Sequence, residues 1–349
     1  MEKKIECGEF DKCLSKKLKR EEFKKINKTK QKDSPKLIFV KNLISDCNYR
    51  WNSNSLLIFT SINNVTYIIY SDDENSIIVY NLVNNQRQCQ IKKAHQQGID
   101  IFRHCLDKKN KKDLIISCST FYNIIKLWDF KNWQLLFNYH RKENIKCLLL
   151  YNNFDNQFFI LSNSLSENED INVYNIKGTL IKKLDSSAGD IRNIDNYYDN
   201  DLSKNFVIVI YNNHISSFDF NINKFYRSYF NLEGYVYSLI IDKNKNKNKT
   251  KLIISCHTYI IIWDFHSGNM ENKIFVCKRI LRSVCPWNDE YYFTGGSTIK
   301  LVNINNKKIT KLSEYFGLIS SIKKYKHPQY DECLITKSFD NIKLWRIEK

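Results

Sequence analysis

The chain has little of what catalytic sites are usually built from. Only 9 of its 349 residues are glycine, and no glycine-rich phosphate cradle can be assembled from them. The "GG" at 295–296 sits within a strand–turn stretch. There are 11 cysteines, an odd number, and no Cys-x-x-Cys pair. Cys256-His257 is adjacent rather than metal-spaced, so no zinc site is expected. Of the 7 histidines, His104, His214, His257, His266 and His327 share no spacing, and paired carboxylates such as Asp72-Asp73 fall in a turn. No apolar run approaches the roughly 18 residues of a membrane span, and the amino terminus lacks a secretory pattern. The cysteines therefore read as small buried apolar residues in a reducing compartment, cytoplasmic or nuclear. No catalytic, cofactor-binding or metal-binding residue is assigned, no cofactor is called for, and the chain is expected not to be an enzyme.

A long helical period is also missing between 37 and 349. In its place are short runs rich in Ile, Val, Leu, Tyr and Phe, such as "TYIIYS", "SIIVYNL", "NFVIVIY" and "YYFTGG", broken by Asn, Asp, Ser and Lys. This is strand composition with turn punctuation. The runs repeat. "LIISC" stands at 114–118 and again at 252–256, and both copies lead into Trp-Asp-Phe. Taking the aromatic of that phrase as an anchor gives Tyr80, Trp128, Tyr174, Phe218, Trp263, Val302 and Trp345, with gaps of 48, 46, 44, 45, 39 and 43 residues.

A second marker keeps the same beat. An apolar–variable–small–apolar step reads "IKCL" at 145, "IRNI" at 191, "VYSL" at 236, "LRSV" at 281 and "ISSI" at 319, with looser versions at 53 and 99. Its variable residues are Asn54, Asp100, Lys146, Arg192, Tyr237, Arg282 and Ser320. Both markers shorten at the sixth copy. Four short strands in each of seven copies of about 40–45 residues is the signature of propeller blades.

These residues resemble the WD-repeat β-propellers, over about residues 36–349. Trp128-Asp129, Trp263-Asp264 and Phe218-Asp219 carry the motif that names the family. His95 and His140 stand where the family places a structural histidine. Asn81, Asn175, Asn303 and Arg346 depart from the Asp after the anchor, which puts the hydrogen bonds of individual blades in question. The resemblance implies an all-β, seven-bladed propeller of four-stranded antiparallel blades. "PKLIFVKNL" at 35–43 would complete the last blade and remove its open edge. The resemblance also implies that the variable residues of the second marker ring one mouth of the central channel, with Tyr235 beside them. Lys146, Arg192, Tyr237 and Arg282 then offer three cations around a tyrosine, suited to an acidic or phosphorylated segment. The competing reading is a solvated polar rim, and Asp100 argues against a uniform anion funnel. Two specialised family activities lack their motifs. "RILRSV" is not the Phe/Leu-Arg-Arg-Gly of phosphoinositide-binding propellers. "WDFK" and "WDFH" are not the Trp-Asp-x-Arg of certain ubiquitin-ligase receptors, because Lys131 does not replace Arg at a shaped site.

The formal net charge is +18, with 55 Lys and Arg against 37 Asp and Glu. Twelve of those cations and seven of those acids lie in residues 1–35, a basic extension that reads either as disordered or as a short helix using Phe10, Leu14, Leu18 and Ile26. "DKKNKKD" at 107–113 and "DKNKNKNKT" at 242–250 supply more charge from loops between first and second strands. They read either as solvated loops or as a basic surface. The expected function is a non-catalytic scaffold holding protein partners, a monomer within a larger complex. The alternative is a component of a ribonucleoprotein or ribosomal-RNA-processing assembly that contacts RNA backbone.

Overall fold

The computed structural model describes residues 36–45, 56–72, 74–119, 122–140, 145–152, 158–164, 171–184, 191–212, 214–230, 232–244, 249–314, 318–338 and 341–348. The expected extension, residues 1–35, lies outside them. Every regular element among the described residues is a strand.

The strands form four-stranded antiparallel sheets, one for each copy of the repeat. The first holds β2 (Leu56–Thr60), β3 (Thr66–Ser71), β4 (Ile77–Asn81) and β5 (Gln86–Ile91). The second holds β6 (Ile101–Asp107), β7 (Lys112–Ser119), β8 (Ile124–Asp129) and β9 (Gln134–His140). The third holds β10 (Ile145–Asn152), β11 (Phe158–Ser164), β12 (Ile171–Asn175) and β13 (Leu180–Leu184). The fourth holds β14 (Ile191–Asp199), β15 (Lys204–Tyr211), β16 (Ile215–Asp219) and β17 (Lys224–Tyr229). The fifth holds β18 (Val236–Asn244), β19 (Lys249–Cys256), β20 (Tyr259–Asp264) and β21 (Met270–Phe275). The sixth holds β22 (Ser283–Pro286), β23 (Tyr291–Gly295), β24 (Thr298–Asn303) and β25 (Ile309–Glu314). In the seventh, β26 (Ser321–His327), β27 (Asp331–Lys337) and β28 (Asn341–Glu348) are joined by β1 (Lys36–Ser45), which pairs antiparallel with β28 from Lys36↔Glu348 to Ser45↔Asn341.

Each sheet buries its faces against its neighbours. Phe59, Ile69, Phe102 and Trp128 join the first sheet to the second. Ile116, Ile125 and Ile145 join the second to the third. Leu149, Val173, Ile194 and Val207 join the third to the fourth. Phe206, Tyr229, Trp263 and Phe265 join the fourth to the fifth. Ile253, Ile262, Val284 and Val302 join the fifth to the sixth. Phe293, Leu301, Leu334 and Trp345 join the sixth to the seventh. Leu43, Ile335 and Leu344 then pack on Ile68 and Leu82 of the first. The fold is a β-propeller of four-stranded blades, and β2, β6, β10, β14, β18, β22 and β26 face one central cavity of about 370 Å³.

The scarcity of glycine is met by asparagine. Among the described residues, twelve other than glycine have positive φ, and five of them are Asn64, Asn75, Asn85, Asn123 and Asn223 in turns. Asparagine tolerates the left-handed region better than most residues. The polar residue after each anchor has a matching role. Asp129, Asp219 and Asp264 accept the backbone N–H of Lys131, Asn221 and Ser267 at 3.0, 3.1 and 2.7 Å. Asn81, Asn175 and Asn303 accept those of Val83, Lys177 and Asn305 at 2.8, 2.9 and 2.9 Å. Asn therefore preserves the turn that Asp makes, and the three Asn departures do not break it. Only the Asp copies have a second oxygen for a lysine at the start of the second strand: Lys112 on Asp129 at 2.8 Å, Lys204 on Asp219 at 3.1 Å and Lys249 on Asp264 at 3.8 Å.

The anchors occupy one register position. Tyr80, Trp128, Tyr174, Phe218 and Trp263 each coincide with a bulge against the outer strand. In the sixth sheet, where the anchor is Val302, the shift falls instead between Ile299 and Lys300. The two structural histidines expected from the resemblance divide. His95 is 2% exposed and bonds Ser117. His140 is exposed at the end of β9, so the structural role expected there is corrected: its side chain meets solvent rather than a buried partner.

Candidate binding rim and central channel

The residue positions expected to ring the channel fall where the innermost strands begin. In three sheets the strand makes a bulge there. The register skips Arg192 between Ile191 and Asn193, skips Tyr237 between Val236 and Ser238, and slips between Ile145 and Leu148 around Lys146. A bulge removes a residue from the ladder and re-aims its side chain. In the other described sheets the same position is tied by its own backbone. The N–H groups of Asp100, Arg282 and Ser320 donate to the carbonyls of Cys118, Gly295 and Lys337 at 2.9, 2.8 and 2.9 Å.

Two arginine–tyrosine pairs form across neighbouring sheets. The Arg192 guanidinium lies 5.0 Å from the Tyr235 ring centre, and its Nε donates to Asn212 Oδ1. The Arg282 guanidinium lies 5.4 Å from the Tyr237 ring centre. Both distances are in the range of cation–π attraction. Tyr235 is 53% exposed. It follows Gly234, whose φ of +105° lets the chain turn back, so that the Tyr235 carbonyl accepts the His257 N–H at 3.2 Å. The aromatic Phe230, 59% exposed, lies in the same connection between the fourth and fifth sheets.

Of the residues expected at the rim, Arg192 meets Tyr235 and Arg282 meets Tyr237, and Tyr237, Arg282 and Ser320 also line the cavity. Asp100 is half-buried and does not line it. Asn54 lies outside the described residues, and for Lys146 only the backbone is described.

Sequence reasoning missed the charges deeper in the channel. Arg103 of β6, Asp195 of β14 and Lys323 of β26 line it below the rim. Arg103 Nη2 reaches across to Asn193 Oδ1 at 3.4 Å, linking the second sheet to the fourth. Burial pushes the Asp195 carboxyl above the usual range, against the pull of the Asn196 N–H, Arg103 and Lys323. The available signal was a charged residue within the first strand, as in "IFRH", "IRNID" and "SIKK".

Other titratable clusters tie sheets together. His104 Nε2 is 2.8 Å from Asp113 Oδ1, and Asp113 Oδ2 accepts the Ile62 N–H at 3.0 Å. His266 lies 3.0 Å from the fully buried Asp199 and 3.2 Å from the Tyr226 hydroxyl. Among the described residues no group of three His, Cys, Asp or Glu is placed to hold a metal. Burial pushes the thiols of Cys105, Cys256 and Cys333 up to about 12, 11 and 11, away from the reactive thiolate. No helix among the described residues is long and apolar enough to cross a membrane.

The chain matches no family model and no curated protein.

Proposed function

We propose that the chain is a non-catalytic scaffold, a closed seven-bladed propeller of the WD-repeat type, whose rim over the fourth to sixth blades binds a protein partner. Propellers commonly serve as interaction platforms, although fold alone does not assign function. The observation that carries the reading is the pair of Arg–Tyr contacts at one channel mouth, Arg192 with Tyr235 and Arg282 with Tyr237. Arginine and tyrosine are typical interface anchors, and pre-ordered side chains lose less entropy on binding. The arginines suit an acidic or phosphorylated segment, since guanidinium groups contact carboxylate and phosphate in a bidentate fashion. Repeats in phase over the chain and Asp or Asn turns after six of the anchors support the WD-type reading.

The second reading, an RNA-contacting component of a ribonucleoprotein assembly, is favoured by the net charge of +18 and by the exposed Lys108, Lys109 and Lys111 in the turn between β6 and β7. RNA-backbone binding should weaken steeply with salt, whereas rim binding should do so less. The test is affinity purification with mass spectrometry, with and without nuclease, beside a variant with Lys146, Arg192 and Arg282 all changed to Glu. Partners that survive nuclease and vanish in the variant support rim binding of protein. Partners lost with nuclease support the second reading. Partners indifferent to both remove the rim from the argument.

A further inference from the structure

The central channel carries a charge imbalance of which only Arg282 belongs to the rim. Three cations line it: Arg103, Arg282 and Lys323. One carboxylate, Asp195, faces them. The imidazole that also lines the cavity, His104, is bonded to Asp113 and held below its ordinary pKa by burial. Lys323 is exposed to the cavity and makes no hydrogen bond or salt bridge among the described residues. Arg282 Nε is buried with no hydrogen-bond partner. A buried donor left unpaired carries a desolvation cost that an acceptor ligand would relieve. The cavity, about 370 Å³, is in the size range of small-ligand sites.

We infer that the channel binds a compact phosphate-type dianion, held between Lys323, Arg282 and Arg103 with Asp195 setting the charge balance. Two surplus positive charges match a phosphate monoester rather than a single carboxylate. Charged groups facing one another within low-dielectric walls also focus the field on the enclosed volume. The site shares Arg282 with the rim, but Arg103, Asp195 and Lys323 are not rim residues, so replacing Lys323 tests it apart from the rim reading. The phosphate could be carried by a free small molecule or by a phosphorylated side chain entering from the rim; the two share one chemistry.

The test is calorimetric titration of the full chain with inorganic phosphate and with a phosphoserine peptide. Saturable binding is expected, weakened by Lys323→Gln roughly tenfold to a hundredfold, as for loss of one charge-assisted contact. Asp195→Asn should change affinity in the opposite sense and tighten binding. Lys323 is exposed, so its replacement should leave the packing intact, which thermal melting checks. A variant with Lys108, Lys109 and Lys111 changed to Gln controls for surface lysines and should bind as the parent does. Tighter binding of the peptide than of free phosphate, still dependent on Lys323, identifies a phosphorylated segment as the source. Equal binding identifies a free compound. Absence of saturable binding, indifference to Lys323→Gln, or loss of binding in the loop variant would each overturn the inference.

Discussion

Acid should loosen the second blade through a single imidazole. His95 is 2% exposed, and its Nε2 lies 2.8 Å from Ser117 Oγ, which also accepts the Trp128 indole N–H at 2.8 Å. Its Nδ1 is buried without a partner. Burial, with the Lys126 ammonium nearby, lowers its pKa to about 3 from 6.5. The folded protein therefore holds His95 neutral, while the unfolded chain takes up a proton near its ordinary pKa. The sign follows: stability is complete above about 6.5 and is lost as pH falls toward the folded value. At about pH 5 the shift corresponds to about 2 kcal/mol. The comparison is the denaturant midpoint of the parent and of His95→Gln at about pH 7 and pH 5, followed by tryptophan fluorescence. Glutamine cannot titrate, and it costs about 1–2 kcal/mol at either pH through imperfect bonding to Ser117. The parent should lose about 2 kcal/mol more than the variant on acidification. The other histidines with lowered pKa, His104, His214 and His327, remain in both proteins and cancel. Equal acid losses in the two proteins would refute the reasoning.

Three further outcomes test the frame of the fold. Ile44→Ala in β1, where the side chain is 8% exposed within the core shared by the seventh and first sheets, should cost about 2–4 kcal/mol, while Ile38→Ala, 39% exposed on the same strand, should stay within about 0.5 kcal/mol; similar costs in chemical denaturation would contradict the placement of β1. Asp129→Asn keeps the bond to the Lys131 N–H but loses the Lys112 pairing, and should cost under about 1 kcal/mol; Asp129→Ala loses both and should cost more, about 1–2 kcal/mol. Thr336→Val leaves the Trp345 indole N–H, now 2.9 Å from Thr336 Oγ1, without its acceptor, and should lower the unfolding free energy by about 1–3 kcal/mol; an unchanged melt would mean the bond contributes nothing.

How much of this was legible follows from what a repeat can and cannot encode. The phase was legible because the anchors must meet the same register point in every sheet, as Trp128 does opposite Ile115 and Trp263 opposite Leu252. The Asp-to-Asn exchange looked like a defect in sequence because only the side-chain name changes, yet the turn needs one oxygen and both residues supply it. What distinguishes them is a second oxygen, whose use depends on a lysine about seventeen residues earlier: Lys112 serves Asp129, while Val65 stands at the corresponding place for Asn81. The rim was half legible. Position marked Arg192, Arg282, Tyr235 and Tyr237, but which arginine stacks on which tyrosine across blades is something no single-repeat pattern reveals. The channel charges were visible only one strand at a time, and their meeting was not legible, because Arg103, Asp195 and Lys323 come from three blades that are not ring neighbours and meet only when the ring is built. Repeats therefore specify what each blade owes its neighbour, and function in such a ring is written in the residues that break the pattern.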